Sequence, residues 1–148
     1  MILVDANLLV YAHDASAAEH PRARDWFVRV INEPGRVGIP WPSLLAFVRL
    51  VSNPAVVRAP VSVQAAWARV AQWLERDNVW IPLPGTDHPP LLAALLADAT
   101  ITSRMVPDAH LAALAIEHGL TLCSTDSDFS RFADLRWHNP LNTKGPRA

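Results

Sequence analysis

Residues 1–14 read MILVDANLLVYAHD, and residues 122–132 read LCSTDSDFSRF. In the first stretch Asp5 directly follows Ile2, Leu3 and Val4, a run that reads as a short buried strand. A carboxylate at the end of such a strand is costly unless something pairs with it. The second stretch has the same form: an apolar run, LTLCS, and then Asp126 and Asp128. If the two runs are neighbours in a parallel sheet, three acids meet beyond the strand ends.

The segments between them fit that sheet. RARDWFVRVI (22–31) places Trp26, Phe27, Val30 and Ile31 at helical spacing, and NEPG stops it. RVGIP (36–40) reads as a second strand. Trp41-Pro42-Ser43 opens a helix that carries Leu44, Leu45, Phe47, Val48 and Val51 and ends at Asn53-Pro54. Ser62 is placed as an N-cap, followed by an amphipathic helix with Val63, Trp67, Val70 and Leu74 on one face. NVWIPL (78–83) is a third strand. Thr86 or Asp87 caps a helix through LLAALLADA, and ITSRMV (101–106) is a loop. Pro107 opens a helix that Gly119 closes, LTLCS is the fourth strand, DSDFSRF a turn with a short helix, and LRWHN (135–139) a fifth strand. Strands alternating with helices predict a parallel sheet with helices on both faces. In such sheets ligands sit beyond the carboxyl ends of the strands, where the strand order reverses.

The chain has 148 residues, which is expected to form one domain over 1–148, and about half of them are apolar. Its net charge of −1 gives no global positive field for nucleic acid, so any such contact must be local. Cys123 is the only cysteine, which rules out an internal disulfide and fits a reducing compartment. Asp5 interrupts the N-terminal apolar run, no basic region precedes it, and no stretch approaches the roughly 20 apolar residues of a membrane span. A cytoplasmic protein with no membrane partner is expected.

Asp108, in the first turn of its helix, is the fourth acid expected at the crevice, where the helix N-terminus favours an anion. Each acid also has an ordinary use, as a helix cap or a turn former. Several carboxylates cannot share one site and stay ionised without positive charge. No lysine lies near these segments. Oxygen-only ligands suit Mg²⁺ or Mn²⁺ rather than zinc, and such an ion usually works on phosphate.

Three blocks, ILVDANLLVYA, WPSLLAFVRLVSNP and VPDAHLAALAIEHGLTLCSTDSDFSRF with LRWHNPL behind it, together resemble the PIN-domain ribonucleases, specifically the VapC toxins of bacterial type II toxin–antitoxin pairs. The resemblance covers essentially the whole chain. It implies an α/β/α sandwich with a short parallel sheet, and Mg²⁺- or Mn²⁺-dependent endonucleolytic cleavage of RNA, often at a tRNA or ribosomal RNA stem-loop. It also implies a cognate VapB antitoxin and a homodimer. Asp5, Asp108 and Asp126 match the family's metal-binding aspartates, and Asp128 the acid that often follows them. Ser124 stands where threonine is common, and Asn7 where a polar side chain orders the site. The chain departs from the pattern at Ala46, where the family usually carries a glutamate. Asp98 is a weak substitute.

Arg49 and Arg104 are the first candidates for RNA contacts and Arg131 a lesser one. The six tryptophans read mostly as core or partner contacts, and His110 and His118 as helix-surface residues. Two other readings remain: a non-catalytic PIN module that binds RNA or a partner, favoured by Ala46, and a phospho-acceptor domain. The latter needs a lysine at the strand ends, whereas the only lysine is Lys144.

Overall fold

The computed structural model describes residues 1–142; Lys144 lies outside them. Five parallel strands form one sheet: β1 (Ile2–Val4), β2 (Val37–Gly38), β3 (Val79–Trp80), β4 (Thr121–Cys123) and β5 (Trp137–His138). The helices are α1 (Ala6–His13), α2 (His20–Asn32), α3 (Trp41–Val51), α4 (Val63–Leu74), α5 (His88–Leu96) and α6 (Val106–Glu117). The strand order is β3-β2-β1-β4-β5. The chain leaves β1 toward one side and returns on the other, so the order reverses between β1 and β4. Val4 pairs with Cys123 there, which sets Asp5 beside Ser124.

The sheet is buried on both faces, as parallel sheets are. Val4 and Cys123 point into a core with Leu8, Phe27, Phe47, Val70 and Trp73. Leu3 and Leu122 alternate into a second core with Met105, Leu114 and Phe129. Helix α6 packs against both β4 and α5 and buries Ala109 and the run from Leu111 to Ala115, which explains why it is apolar nearly all round. Ser62 caps α4 by accepting from the Ala65 N–H at 3.0 Å, and Gly119 takes a φ of 67° after α6, the left-handed conformation that glycine allows at a helix end.

One expectation is corrected. The inward stripe of α4 runs through Ala66, Val70 and Trp73, while Val63 and Trp67 are exposed. Ala66 is too small to advertise a buried position, and the bulk of Trp67 advertises one falsely. Only Trp26 and Trp73 are buried; Trp80 and Trp137 are half-buried, and exposed Trp41 and Trp67 stack on each other at 6.4 Å. Asp87 stands at the cap position of α5 without making a side-chain cap bond. The 101–106 loop contains a 3₁₀ turn, Ser103–Met105, pinned by buried Met105. Among the described residues no helix is long and apolar enough to cross a membrane.

Candidate metal centre

The site is built on the β1–β4 pairing. Asp5 is the N-cap of α1, and its Oδ1 accepts from the Ala6 N–H at 2.8 Å. Its Oδ2 accepts from the Ser124 hydroxyl at 2.7 Å. Ser124, fully buried, also accepts from Asn7 Nδ2 at 3.1 Å and from the Asp126 N–H at 3.0 Å. The Trp137 indole holds the Ser124 carbonyl at 3.0 Å, tying β5 to the same point. Burial pushes the Asp5 carboxyl above the ordinary range, and nearby Asp126 adds to the effect; the bonds from Ser124 and Ala6 work against it.

Asp126 caps the 3₁₀ turn Ser127–Arg131, its Oδ1 accepting from the Asp128 N–H at 2.9 Å. Asp108 enters from the first turn of α6. Carboxylate oxygens of Asp108, Asp126 and Asp128 lie within 4.8 Å of one another. Burial and then repulsion from Asp126, Asp5 and Asp128 push the Asp108 carboxyl up to about 6, with Arg104 partly offsetting them. Arg104 Nη2 donates to Asp128 Oδ2 at 2.9 Å. Among the described residues the buried Asn7 Oδ1 has no hydrogen-bond partner. The three grouped carboxylates are an all-oxygen donor set, compatible with a hard divalent cation.

The sequence profile described as "PIN domain" matches residues 2–135. Ribonuclease VapC37 of Mycobacterium tuberculosis is 39% identical over 140 residues, covering 95% of this chain and 97% of that protein. The chain belongs to the PIN domain family, in its VapC branch. Solved PIN-fold toxins superpose on it. M. tuberculosis VapC20, a Sarcin-Ricin loop cleaving toxin, gives a TM-score of 0.65 at 21% identity, covering 92% of this chain and 99% of that one. A chain of a toxin-antitoxin complex from Klebsiella pneumoniae gives 0.62 at 18%, covering 95% and 98%.

Within this PIN domain the structure brings Asp108, Asp126 and Asp128 into one group. It leaves Asp5 beside them, joined through Ser124 rather than in the same close set. Asn7 and Ser124 form one hydrogen-bonded pair. Arg104 reaches the acids, whereas Arg49 lies exposed in the last turn of α3. Ala46 is half-buried on α3. Asp98 is exposed and closes a turn by accepting from the Thr100 N–H and hydroxyl, which hold its carboxyl below the ordinary range; it is a turn former. Burial pushes the Cys123 thiol up to about 12, so it stays protonated and inert.

The histidines differ from expectation. His110 is half-buried, with Nδ1 3.1 Å from Nε2 of buried His88, and Glu117 Oε2 lies 3.6 Å from His88 Nδ1. His118 Nε2 bonds the Leu83 carbonyl at 2.8 Å. These contacts fasten α6 to α5 and to the loop before it. The available signal was the seven-residue spacing of His110 and Glu117, which places both on one face of α6.

Proposed function

We propose that this chain is a metal-dependent endoribonuclease, the toxin of a type II toxin–antitoxin pair, which hydrolyses structured RNA with Mg²⁺ or, in its place, Mn²⁺. The observation that carries the reading is the group of Asp108, Asp126 and Asp128 within 4.8 Å at the β1–β4 reversal, with Asp5 tied to it through Ser124. These four aspartates are assigned as the catalytic and metal-holding set. When bound, the ion supplies a Lewis acid for the phosphoryl oxygen and an acidified water as nucleophile. Ser124, itself bonded by Asn7, and the Ala6 N–H orient the Asp5 carboxylate. Repulsion among the four acids disfavours their joint ionisation and prepares the site for a cation. Arg104, at the rim, contacts the RNA backbone, and Arg49 is the second candidate.

A tRNA or ribosomal RNA stem-loop is the proposed target class, supported by the Sarcin-Ricin loop cleavage ascribed to VapC20. A VapB-type antitoxin is the proposed partner, supported by the Klebsiella complex. A cytoplasmic location is proposed together with these partners. A homodimer has exposed apolar residues available on α3 and α4, namely Trp41, Leu45, Val63 and Trp67; sedimentation equilibrium tests it. The chain is read as one PIN domain throughout.

The deciding experiment incubates the pure protein and its Asp5→Asn variant with total RNA in Mg²⁺, Mn²⁺ or EDTA. Metal-dependent cleavage by the wild type alone is expected. Full activity in Asp5→Asn removes this site from consideration. Ala46 favours a second reading, a PIN module that binds RNA without cutting it; tight RNA binding with no cleavage in either metal selects that reading.

A further inference from the structure

Arg104 combines an anchored backbone with an exposed side chain. Its 3₁₀ turn is held by Met105, 2% exposed, while the Arg104 side chain is 74% exposed. The guanidinium has five N–H donors, and the one side-chain hydrogen bond it makes among the described residues goes to Asp128 Oδ2. Asp128 in turn donates its N–H to Asp126 Oδ1. The positive charge is therefore joined to the acid cluster through a single residue. An arginine stays charged at any pH the protein survives. It also presents a planar fork that matches phosphate oxygens two at a time.

The guanidinium on Asp128 occupies one of its carboxylate oxygens and repels a further metal ion at that position.

We infer that Arg104 is the second cation of the site: the cluster binds one divalent ion, and the guanidinium held at Asp128 takes the place of a second ion against the non-bridging oxygens of the RNA phosphate. This rests on the ribonuclease reading and adds to it a one-ion stoichiometry and a phosphate-binding residue within the chain. The Arg104 side chain is 74% exposed, so its removal is expected to leave the fold intact; circular dichroism verifies this for each variant.

The test titrates Mn²⁺ into the full chain by calorimetry, for wild type, Arg104→Gln and Arg104→Lys. In EDTA it also measures the salt dependence of binding to a fluorescein-labelled RNA hairpin. Wild type and Arg104→Lys are expected to bind one Mn²⁺ per chain, and Arg104→Gln to admit a second. The slope of log affinity against log salt is expected to shrink by about 1 in Arg104→Gln, the loss of one phosphate contact. Two ions in the wild type overturn the inference. So does an Arg104→Gln variant that matches wild type in either ion count or salt slope, as an idle surface pair predicts. Failure of the wild type to bind any Mn²⁺ is a different result, and it overturns the ribonuclease reading itself.

Discussion

The Ser124 hydroxyl has one proton to donate and two lone pairs to offer, and all three are used, on Asp5, Asn7 and the Asp126 N–H. Ser124→Ala removes them together and strands two donors in a buried place. A loss of about 1–3 kcal/mol in stability is expected, the cost of unsatisfied buried groups, and urea denaturation in EDTA measures it. Asp108 gives the opposite sign. Its carboxyl sits at about 6 in the folded chain, above the ordinary 3.8, so between those values the folded state holds a proton that the unfolded state has lost. This group's contribution to stability therefore falls as pH rises from about 4 to about 6 and stays low above that. Asp108→Asn removes the penalty. The metal-free variant is expected to match wild type near pH 4 and to exceed it above pH 6, by on the order of 1 kcal/mol once solvent screening of a part-exposed group is allowed for. Paired urea curves across that range check it; a constant difference at every pH refutes the assignment.

Strand β2 shows how little room an element of the sheet has. A Cβ on Gly38 would lie 2.9 Å from Pro82 Cγ and 3.3 Å from the Ile2 carbonyl oxygen. Gly38→Ala must therefore push β2 from β1 or displace the Pro82 ring, and about 1–3 kcal/mol of destabilisation is expected from overpacking, read as a lowered urea midpoint. The elements themselves were legible in the sequence. Apolar runs bounded by glycine and proline marked the strands, and caps such as Ser62 and Gly119 marked helix ends, because these signals are local. The true inner face of α4 was not legible, since it turns on Ala66 fitting where Trp67 does not. The nearness of Asp126 and Asp128 to the end of β1 was legible because charges after buried strands are anomalous in themselves, whereas Asp108, in a helix's first turn, carries no such mark. The Arg104–Asp128 pair and the His88–His110 contact were not, because each joins side chains more than twenty positions apart with no chemical oddity at either end.

At the scale of the molecule, the fold gathers like charges from residues 5, 108, 126 and 128 beyond the carboxyl ends of β1 and β4, where Asp5 and Asp108 already resist ionisation. Nothing in local packing demands this. It lowers the stability of the metal-free chain, as sites built for binding commonly do, and a cation that binds only the folded state reverses it. With Mn²⁺ at a hundred times its Kd, linkage gives about 2.7 kcal/mol. For a chain of this size that corresponds to a rise in Tm of about 5–10 °C. EDTA is expected to reverse the rise, and Asp126→Asn to abolish most of it while raising the Tm of the metal-free chain. Thermal unfolding followed by calorimetry reads both directions in one series. The second direction separates a binding site from mere screening. Nonspecific screening by Mn²⁺ would raise the wild type too, but an equal charge of Mg²⁺, Mn²⁺ or monovalent salt would then act alike. Equal shifts from Mn²⁺ and from sodium chloride of matched ionic strength would therefore show that the aspartates repel one another without forming a site.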